Sequence, residues 1–377
     1  YWTNGTIPWF RMEDIRTNGR VLNNSIQHVS QSALRGNIIP ANSIIMSTTA
    51  TLGEYALITI PFITNQQITS FSLREPYINR VNIKFLFYYF SKFGKWCIDN
   101  ANKNGGLSII GVNKLKEFQS PIPCAENIDS SLRVQEEIVR ILDRFTELTA
   151  ELTAELTARK KQYEYYREQL FTFKDNEVEW KALGEIGEFQ RGKRFVKDDM
   201  ILEGVPCIHY GEMYTHYGIW ADSSRSFLNY ELVDSKKLRI AKKGDIVIVA
   251  AGETIEDIGV GTAWLGEKGV VIHDACFSYR SMLNPKYVAY FTRTTQFHNQ
   301  IKMNVSSGKI SAINSKGLSK AVIPIPSLAE QERIVSILDK FDTLTTFISE
   351  GLPKEIELRT KQYEYYREML LNFPKED

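Results

Sequence analysis

The chain has 377 residues, of which 43% are hydrophobic and 24% charged, and its formal net charge is +1. A single hydrophobic core stops growing at roughly 250–300 residues, so we expect a globular protein of two or three domains. No run approaches the ~18 apolar residues of a membrane-spanning helix. Four widely spaced cysteines without a CxxC pair argue against a zinc site or a disulfide framework and favour reduced thiols in the cytoplasm. They are Cys97, Cys124, Cys207 and Cys276.

Residues 1–130 form the first predicted domain, in which strand and helix signals alternate. Residues 7–10 (IPWF) and 42–46 (NSIIM) predict strands, the second of them buried, and 84–89 (KFLFYY) predict a core helix. Residues 106–110 (GLSII) predict a small-residue loop before a last strand. The chain starts abruptly without an initiator Met, and we expect this domain to be truncated at its N-terminus by roughly 20–25 residues.

Residues 131–178 form a predicted central helical region. Its apolar residues recur at spacings of three and four, which is typical of one helix face, at 138, 141, 142, 145, 148, 152 and 156. Pro123 suits the approach to the helix start. A helix over 135–171 would be about 55 Å long at ~1.5 Å per residue. The tetrapeptide TAEL occurs twice, at 149–152 and 153–156, and we interpret it as a ruler that sets the helix length.

Residues 179–326 form the second predicted domain and follow the outline of the first. Segments 205–208 (VPCI), 244–248 (GDIVI), 286–291 (KYVAYF) and 308–312 (GKISA) correspond to the four segments above. Both blocks therefore predict mixed α/β domains. The start of the second block, 180–194 (WKALGEIGEFQRGKR), has no counterpart in the first.

Residues 327–377 form a C-terminal helical region that repeats the central one. Segment 331–341 (QERIVSILDKF) matches 135–145 (QEEIVRILDRF), and 361–368 is identical to 161–168 (KQYEYYRE). Each copy follows a PIP step, at 121–123 and 324–326. Gly351 and Pro353 predict a break or kink within the second copy. The chain is thus a tandem duplication, and its two apolar stripes favour an antiparallel two-helix coiled coil over two helices in separate cores.

The charge alternates with the predicted organisation. The formal charges of 1–130, 131–180, 181–326 and 327–377 are +4, −3, +4 and −4. The field at a DNA phosphate depends on the charge of the nearby domain rather than of the whole chain. Two mildly basic domains are therefore compatible with nucleic-acid binding but do not require it.

This layout resembles the specificity (HsdS) subunits of type I restriction–modification systems. The resemblance is carried by 135–145 with 161–170, by their copies 331–341 with 361–370, and by the LGEI run at 183–186; the TAEL repeat is similar to the type IC branch. It implies an α/β fold with two target-recognition domains separated by two long antiparallel helices. It also implies a cytoplasmic complex in bacterial defence, containing two methyltransferase (HsdM) subunits, with restriction (HsdR) subunits added for cleavage. Double-stranded DNA would be bound at two short half-sites, and the divergence of the two blocks implies that the half-sites differ.

Candidate DNA-binding residues are those that hydrogen-bond base edges or phosphates from loops that can enter a groove. In the second domain they are Gln190, Arg191, Lys193, Arg194, His209, Tyr210, Tyr214, His216, Tyr217 and Lys309. In the first domain they are Arg11, Arg16, Asn18, Arg20, Arg35, Asn102, Lys103, Asn104 and Ser108. Any one of them alone is more simply a solvated surface residue, whereas the sets of residues within one loop favour DNA contact. His209 and His216 also fit core histidines.

Catalysis is the competing class of function. The chain has no GxxxxGK[ST] motif, no HExxH motif and no Asn-Pro-Pro-aromatic tetrapeptide, and five scattered histidines give no metal triad. We therefore expect a non-catalytic protein without catalytic residues, bound metal or cofactor, with S-adenosylmethionine, ATP and Mg²⁺ bound only by partner subunits. A coiled-coil scaffold that binds protein and not DNA is the alternative.

Overall fold

The computed structural model describes residues 2, 5–102, 107–174, 177–306, 308, 310–345 and 351–373. The chain divides into two compact units. Unit 1 comprises Tyr1–Leu152 and Ile356–Asp377, and unit 2 comprises Thr153–Glu355. The two long helical regions are therefore shared between the units, whereas the expected domains are consecutive stretches of sequence.

The secondary structure alternates short strands with helices in both units. The strands are β1 (Ile7–Phe10), β2 (Val21–Leu22), β3 (Gln27–Val29), β4 (Ser43–Ser47), β5 (Tyr55–Ile58), β6 (Ile63–Thr64), β7 (Ile68–Phe71), β8 (Glu179–Ala182), β9 (Gly187–Arg191), β10 (Met200–Ile201), β11 (Val205–Ile208), β12 (Trp220–Ala221), β13 (Ser226–Leu228), β14 (Ile240–Ala241), β15 (Ile246–Val249), β16 (Ala251–Gly252), β17 (Gly261–Trp264), β18 (Val270–Ile272), β19 (Cys276–Ser281), β20 (Ser311–Ala312) and β21 (Val322–Ile325). The helices are α1 (Met12–Asn18), α2 (Ile83–Asp99), α3 (Val112–Leu115), α4 (Ile128–Leu170), α5 (Leu183–Ile186), α6 (Tyr210–Thr215), α7 (Tyr230–Ser235), α8 (Pro285–Phe291), α9 (Thr295–Lys302), α10 (Ser315–Ser319), α11 (Leu328–Thr345) and α12 (Gly351–Leu370), with short 3₁₀ helices at Gln31–Ala33, Glu75–Tyr77 and Lys197–Asp199.

Unit 1 contains two sheets, with strand orders β3-β1-β6 and β2-β5-β4-β7. Strand β4 is buried along its whole length, as its sequence predicts, and pairs antiparallel with β5 and β7. Helix α2 packs on β4 and β5 and buries Phe85, Phe93 and Cys97 in the core. The mixed α/β fold that the sequence predicts is confirmed.

Unit 2 repeats this arrangement with longer sheets. Their strand orders are β10-β13-β11-β18-β14 and β12-β17-β15-β19-β9. Strand β11 takes the place of β1, the buried strand β15 that of β4, and helix α8 that of α2. The correspondences predicted for these three elements are confirmed.

Each unit also contains two helical segments packed antiparallel to one another. In unit 1, Phe145 of α4 stacks on Tyr366 of α12 with ring centroids 5.3 Å apart. Ile138, earlier in α4, shares a core with Leu371, which directly follows the C-terminal end of α12. Residues early in α4 therefore meet residues late in α12.

The same pairing occurs in unit 2 between the later part of α4 and α11. Tyr166 stacks on Phe341 with ring centroids 5.4 Å apart, and Phe171 shares a core with Ile334. The identical KQYEYYRE segments thus make the same contact twice, which confirms the antiparallel pairing and the internal duplication.

A buried glutamine in each repeat joins the long helix to the core helix. Oε1 of Gln135 accepts a hydrogen bond from Asn82 N at 2.8 Å, and Oε1 of Gln331 accepts one from Asn284 N at 2.9 Å. The two asparagines cap the N-termini of α2 and α8. The α/β part of each unit is thereby attached to its helix by the same hydrogen bond.

The long helices differ from the sequence prediction at their ends. Helix α4 begins at Ile128, seven residues before the predicted start, and Asn127 accepts a hydrogen bond from Ser130 N at 2.9 Å. Its 43 residues give a length of about 64 Å at ~1.5 Å per residue. In the described part of the second copy, α11 extends to Thr345 and α12 begins at Gly351. The φ of Gly351 is +72°, outside the right-handed helical range, in agreement with the predicted break.

The segment 106–110 also differs from its prediction. Ile109 forms isolated bridges with Thr49 and Asn102, and the next element is the short helix α3 rather than a strand. In unit 2 the equivalent loop leads to β20, α10 and then β21. The expected last strand is therefore found in unit 2 and not in the described part of unit 1.

The segment from β8 to β9 has no counterpart in the described part of unit 1. In unit 2, Leu183 is fully buried, donates its backbone N–H to Ala321 O at 2.8 Å and accepts the Tyr279 hydroxyl at 3.0 Å.

Candidate nucleic-acid interface

The loop that follows β9 crosses the ends of β18 and β19 at very close range. A Cβ atom on Gly192 would lie 2.1 Å from the carbonyl oxygen of His273, so only glycine fits there. Gly192 N donates to Cys276 O at 3.0 Å, which fixes the loop on the sheet. The four neighbouring candidates at 190, 191, 193 and 194 are therefore held on a rigid base.

Two cations, one at the end of β9 and one in this loop, bind carbonyl groups rather than carboxylates. Arg191 Nε donates to Asp274 O at 2.9 Å, and Lys193 Nζ donates to Lys236 O at 3.2 Å. A neutral acceptor positions the side chain without cancelling its charge. Gln190 and Arg194 are exposed to solvent, so this loop presents polar and cationic groups, which are suited to base edges and phosphates.

The side chain of His209 is buried beside this loop. Its ring lies 4.6 Å from that of His273 and 6.0 Å from that of Phe195, and the side chain is only 6% exposed. Nδ1 accepts a hydrogen bond from Gly211 N at 3.3 Å, which caps helix α6. Burial, followed by the neighbouring His273, holds the pKa of His209 below its usual value. These contacts favour a role in positioning the loop over direct contact with DNA.

The other aromatic candidates differ in exposure. Tyr217 is buried, and its hydroxyl accepts a hydrogen bond from Arg225 N at 3.0 Å. Burial raises the pKa of Tyr217 to about 12 and also raises the pKa of Tyr214. Tyr210 is half-buried, whereas Tyr214 and His216 are exposed. Tyr214 and His216 are thus the members of this cluster that are best placed to contact a ligand.

In unit 1 the candidates gather around α1. Arg16 makes two hydrogen bonds of 3.1 Å to the carboxylate of Glu54. Arg11 pairs with Glu13 at 2.8 Å, and its guanidinium lies over Trp9 at 5.1 Å from the ring centroid. These two arginines are therefore neutralised locally, which weakens their attraction for a phosphate.

Four further candidates of unit 1 are exposed. The guanidinium of Arg20 lies over the Tyr55 ring, 5.2 Å from its centroid. Because Tyr55 directly follows Glu54, the partner of Arg16, Arg20 belongs to the group around α1. Asn18 is exposed at the end of α1, and Arg35 lies in a separate loop. Exposed Asn102 and half-buried Ser108 belong to the loop that pairs through Ile109. Lys103, Asn104 and Lys309 lie outside the described residues.

The structure adds the cations Lys237 and Arg239 to the candidates. Both are exposed and line the same cleft as Lys193. The basic run 236–239 (KKLR) is the signal that could have identified them. Its proximity to Lys193 comes only from strand pairing.

Neither a metal cluster nor a membrane span is found in the described ranges. No group of three or more His, Cys, Asp or Glu side chains there is arranged to hold a metal ion. None of the helices described is both long enough and apolar enough to cross a membrane.

Comparison with known families gives two matches in the chain. The family described as the type I restriction modification DNA specificity domain matches residues 1–159 and again residues 176–358. The duplication seen in the contacts is thus also a duplication of this domain.

Individual relatives carry the same description. The specificity subunit of the type I restriction enzyme EcoprrI from Escherichia coli is 37% identical over 357 residues, which is 93% of this chain and 84% of the relative. The EcoR124I/EcoR124II specificity subunit, also from Escherichia coli, is 38% identical over 302 residues, 79% of this chain and 72% of the relative.

A solved structure shares the fold at low sequence identity. It comes from a study of complex assembly and conformational transition of a type I restriction–modification system. Its TM-score is 0.65 at 16% identity, with 97% of this chain and 91% of that chain covered.

Proposed function

Since the chain belongs to the type I restriction–modification DNA specificity family, we propose that it is the DNA-recognition subunit of such a complex. It binds duplex DNA at a bipartite sequence, with one half-site for each recognition domain. The domain expected over residues 1–130 contacts one half-site, and the domain expected over 179–326 contacts the other.

The observation that carries this proposal is the contrast between what is repeated and what is not. The attachment of each domain to its helix is the same, through Gln135 and Gln331. The candidate surfaces differ where both units can be compared: helix α1, after β1, presents Arg16 beside Glu54, whereas helix α6, after β11, presents exposed Tyr214. Identical attachment with different surfaces fits two different half-sites, so the target is asymmetric.

The repeated helices also indicate partners. Tyr165 and Tyr365 occupy the same position of the identical KQYEYYRE segments and are 61% and 65% exposed. Exposed aromatic residues are enriched where proteins bind one another. An identical exposed surface in both repeats fits two copies of one partner, which we take to be methyltransferase (HsdM) subunits. Restriction (HsdR) subunits join through the complex.

Stoichiometry tests this assignment. Tyr165→Ala or Tyr365→Ala should each reduce the bound methyltransferase subunits from about two to about one, because one of two equivalent surfaces is lost. Exposed Glu151 in α4 lies outside the repeated segment, so Glu151→Ala is the control and should keep both. If neither tyrosine variant loses a subunit, the partner binds elsewhere.

The chain itself supplies recognition and no chemistry in this proposal. Its relatives are described as specificity subunits and not as methyltransferases or nucleases. S-adenosylmethionine, ATP and Mg²⁺ would be bound by the partner subunits in the cytoplasm, and the chain would need no cofactor of its own.

The decisive experiment is a gel shift with the methyltransferase subunits present. Duplexes carrying the complete bipartite target should bind far more tightly than duplexes in which either half-site is scrambled. A complex that assembles but binds all duplexes equally would favour the alternative, a coiled-coil scaffold that binds only protein.

A further inference from the structure

A cleft of about 720 Å³ opens in unit 2 beside strand β14. Its lining combines apolar groups with the cations Lys193, Lys237 and Arg239 and the aromatic ring of Tyr230, which is 69% exposed. Apart from Lys193, none of these residues is among the candidates selected from the sequence. The cleft is therefore a second polar surface of this recognition domain.

Backbone pairing brings the cations together at one end of a sheet. Lys193 N donates to Ile272 O at 3.3 Å, and Ile272 N donates to Arg239 O at 3.1 Å. Lys193 and Arg239 thus lie on either side of the last residue of β18, although they are far apart in sequence. Lys237 lies in the turn between α7 and β14, with a φ of +47°.

The positive charge of the cleft is largely uncompensated. Neither Lys237 nor Arg239 forms an ion pair with any residue in the described ranges. The adjacent Lys236 pairs with Asp199 at 3.4 Å. Asp234 is the one carboxylate that lines the cleft among the described residues. Three cations and one anion leave the cleft positive.

Unit 1 contains a cleft of about 420 Å³ with Trp9 and Arg35 in its lining. Two ladders align the strands beside the two clefts. Trp9 pairs with Ile63 where Cys207 pairs with Val271. The strands that hold Ile63 and Val271 therefore correspond.

The register then extends to the cations. Ile39 pairs with Phe62 in unit 1, where Ala241 pairs with Val270 in unit 2. Counting back by four residues in each unit places Arg35 at the position of Lys237. A cation thus occupies the same register position in both units and lines a cleft in each, although the surrounding sequences differ.

We propose that each of these clefts binds the sugar–phosphate backbone of the DNA, through Lys193, Lys237 and Arg239 in unit 2 and through Arg35 in unit 1. The inference rests on the proposed function and assigns a separate contact within it. Phosphate is favoured because the unit 2 cleft carries a net positive charge and has no amide group in its lining to bind adenine. Since lysine and arginine can also bind a guanine edge, the mapping of methylated sequences below separates the two contacts. The contact fixes the position of the domain and is independent of sequence.

The salt dependence of binding measures this contact. The assembled complex is titrated onto a random-sequence duplex by fluorescence anisotropy between about 50 and about 200 mM salt. The logarithm of the association constant falls linearly with the logarithm of the salt concentration, and each lost phosphate contact makes this slope shallower by about 0.9. K237Q/R239Q should therefore lower the slope by about 2, and R35Q by about 1.

A matched control removes the same charge elsewhere in unit 2. Lys316 and Lys320 are exposed at α10, which packs on α5 at the start of β9, whereas the cleft lies beyond the end of β9. K316Q/K320Q should leave the slope unchanged. Melting by circular dichroism should be the same for all variants, since a loss of slope through unfolding would lower the melting temperature as well.

Three outcomes overturn the proposal. If the wild type binds DNA in a salt-dependent way but the slopes of the cleft variants are unchanged, the clefts do not contact phosphate, whereas the proposed function still stands. A changed methylated sequence in K237Q/R239Q would show that the cleft contacts bases. A wild-type complex that binds no DNA would end the proposed function, and the cleft proposal with it.

Discussion

Tyr88 donates its hydroxyl to Oδ1 of Asp143 at 2.6 Å, which joins the core helix α2 to the long helix α4. The other oxygen of Asp143 accepts from Lys84 Nζ at 2.7 Å. One carboxylate thus holds two residues that lie one helical turn apart on α2. Together with Gln135, this fixes the orientation of the recognition domain on its helix.

The same arrangement occurs in unit 2, and from it we expect two substitutions to differ in how much they lower the free energy of unfolding. Asp339 accepts from Tyr290 at 2.7 Å and from Lys286 at 2.8 Å, and burial raises the pKa of Tyr290. Asp339→Ala leaves the Tyr290 hydroxyl without this acceptor, and should lower the free energy of unfolding by about 1–3 kcal/mol. Tyr290→Phe removes the buried hydroxyl as well and should cost less. Urea denaturation measures both, and a larger loss in Tyr290→Phe would contradict the account.

The free energy of unfolding should depend on pH because of His209. Because burial depresses its pKa, the folded protein keeps the ring neutral while the unfolded chain binds a proton below about pH 6.5. Unfolding free energy should therefore fall as the pH drops from about 7.5 to about 5.5, and this fall should be smaller in His209→Asn.

The asparagine variant has a matched partner. Asn can accept the hydrogen bond from Gly211 N that Nδ1 now accepts, whereas Ala cannot. His209→Ala should be about 1 kcal/mol less stable than His209→Asn because it lacks a cap. Equal pH dependence in the wild type and His209→Asn would show that His209 is not the titrating group.

A side chain at position 192 should impair DNA binding for steric reasons. Gly192→Ala places a Cβ against His273 O and should cost about 1–3 kcal/mol in stability while shifting the loop at 190–194. Gly218 has open space around its Cβ position, so Gly218→Ala is the control and should change little. Chemical denaturation and gel shifts measure the two effects. A Gly192→Ala variant that binds its target normally would exclude this loop from the interface.

The long helices could be predicted because their evidence is local and repeated. Eight identical residues in KQYEYYRE and an apolar period of three to four fix both the helix type and the duplication. The break before α12 was equally visible in Gly351 and Pro353. The start at Ile128 was missed because the preceding cap, Asn127, belongs to a stretch without apolar periodicity.

The candidate interface was less predictable because it depends on contacts between distant segments. The burial of His209 comes from Phe195 and His273, which its own sequence neighbourhood does not reveal. The neutralisation of Arg16 by Glu54 likewise depends on how α1 packs. Residue type selects possible DNA contacts, but burial and pairing decide which of them are available.

We propose that the length of α4 sets the distance between the two half-sites, and inserting one TAEL unit after Leu156 tests this. Four helical residues add about 6 Å and rotate one end by about 40°. Glu155→Gln is the control because it changes the same turn without changing its length. In a host that carries the complete system, mapping of methylated adenines should show a longer spacer between unchanged half-sites for the insertion. An unchanged spacer, or altered half-site bases, would contradict the account.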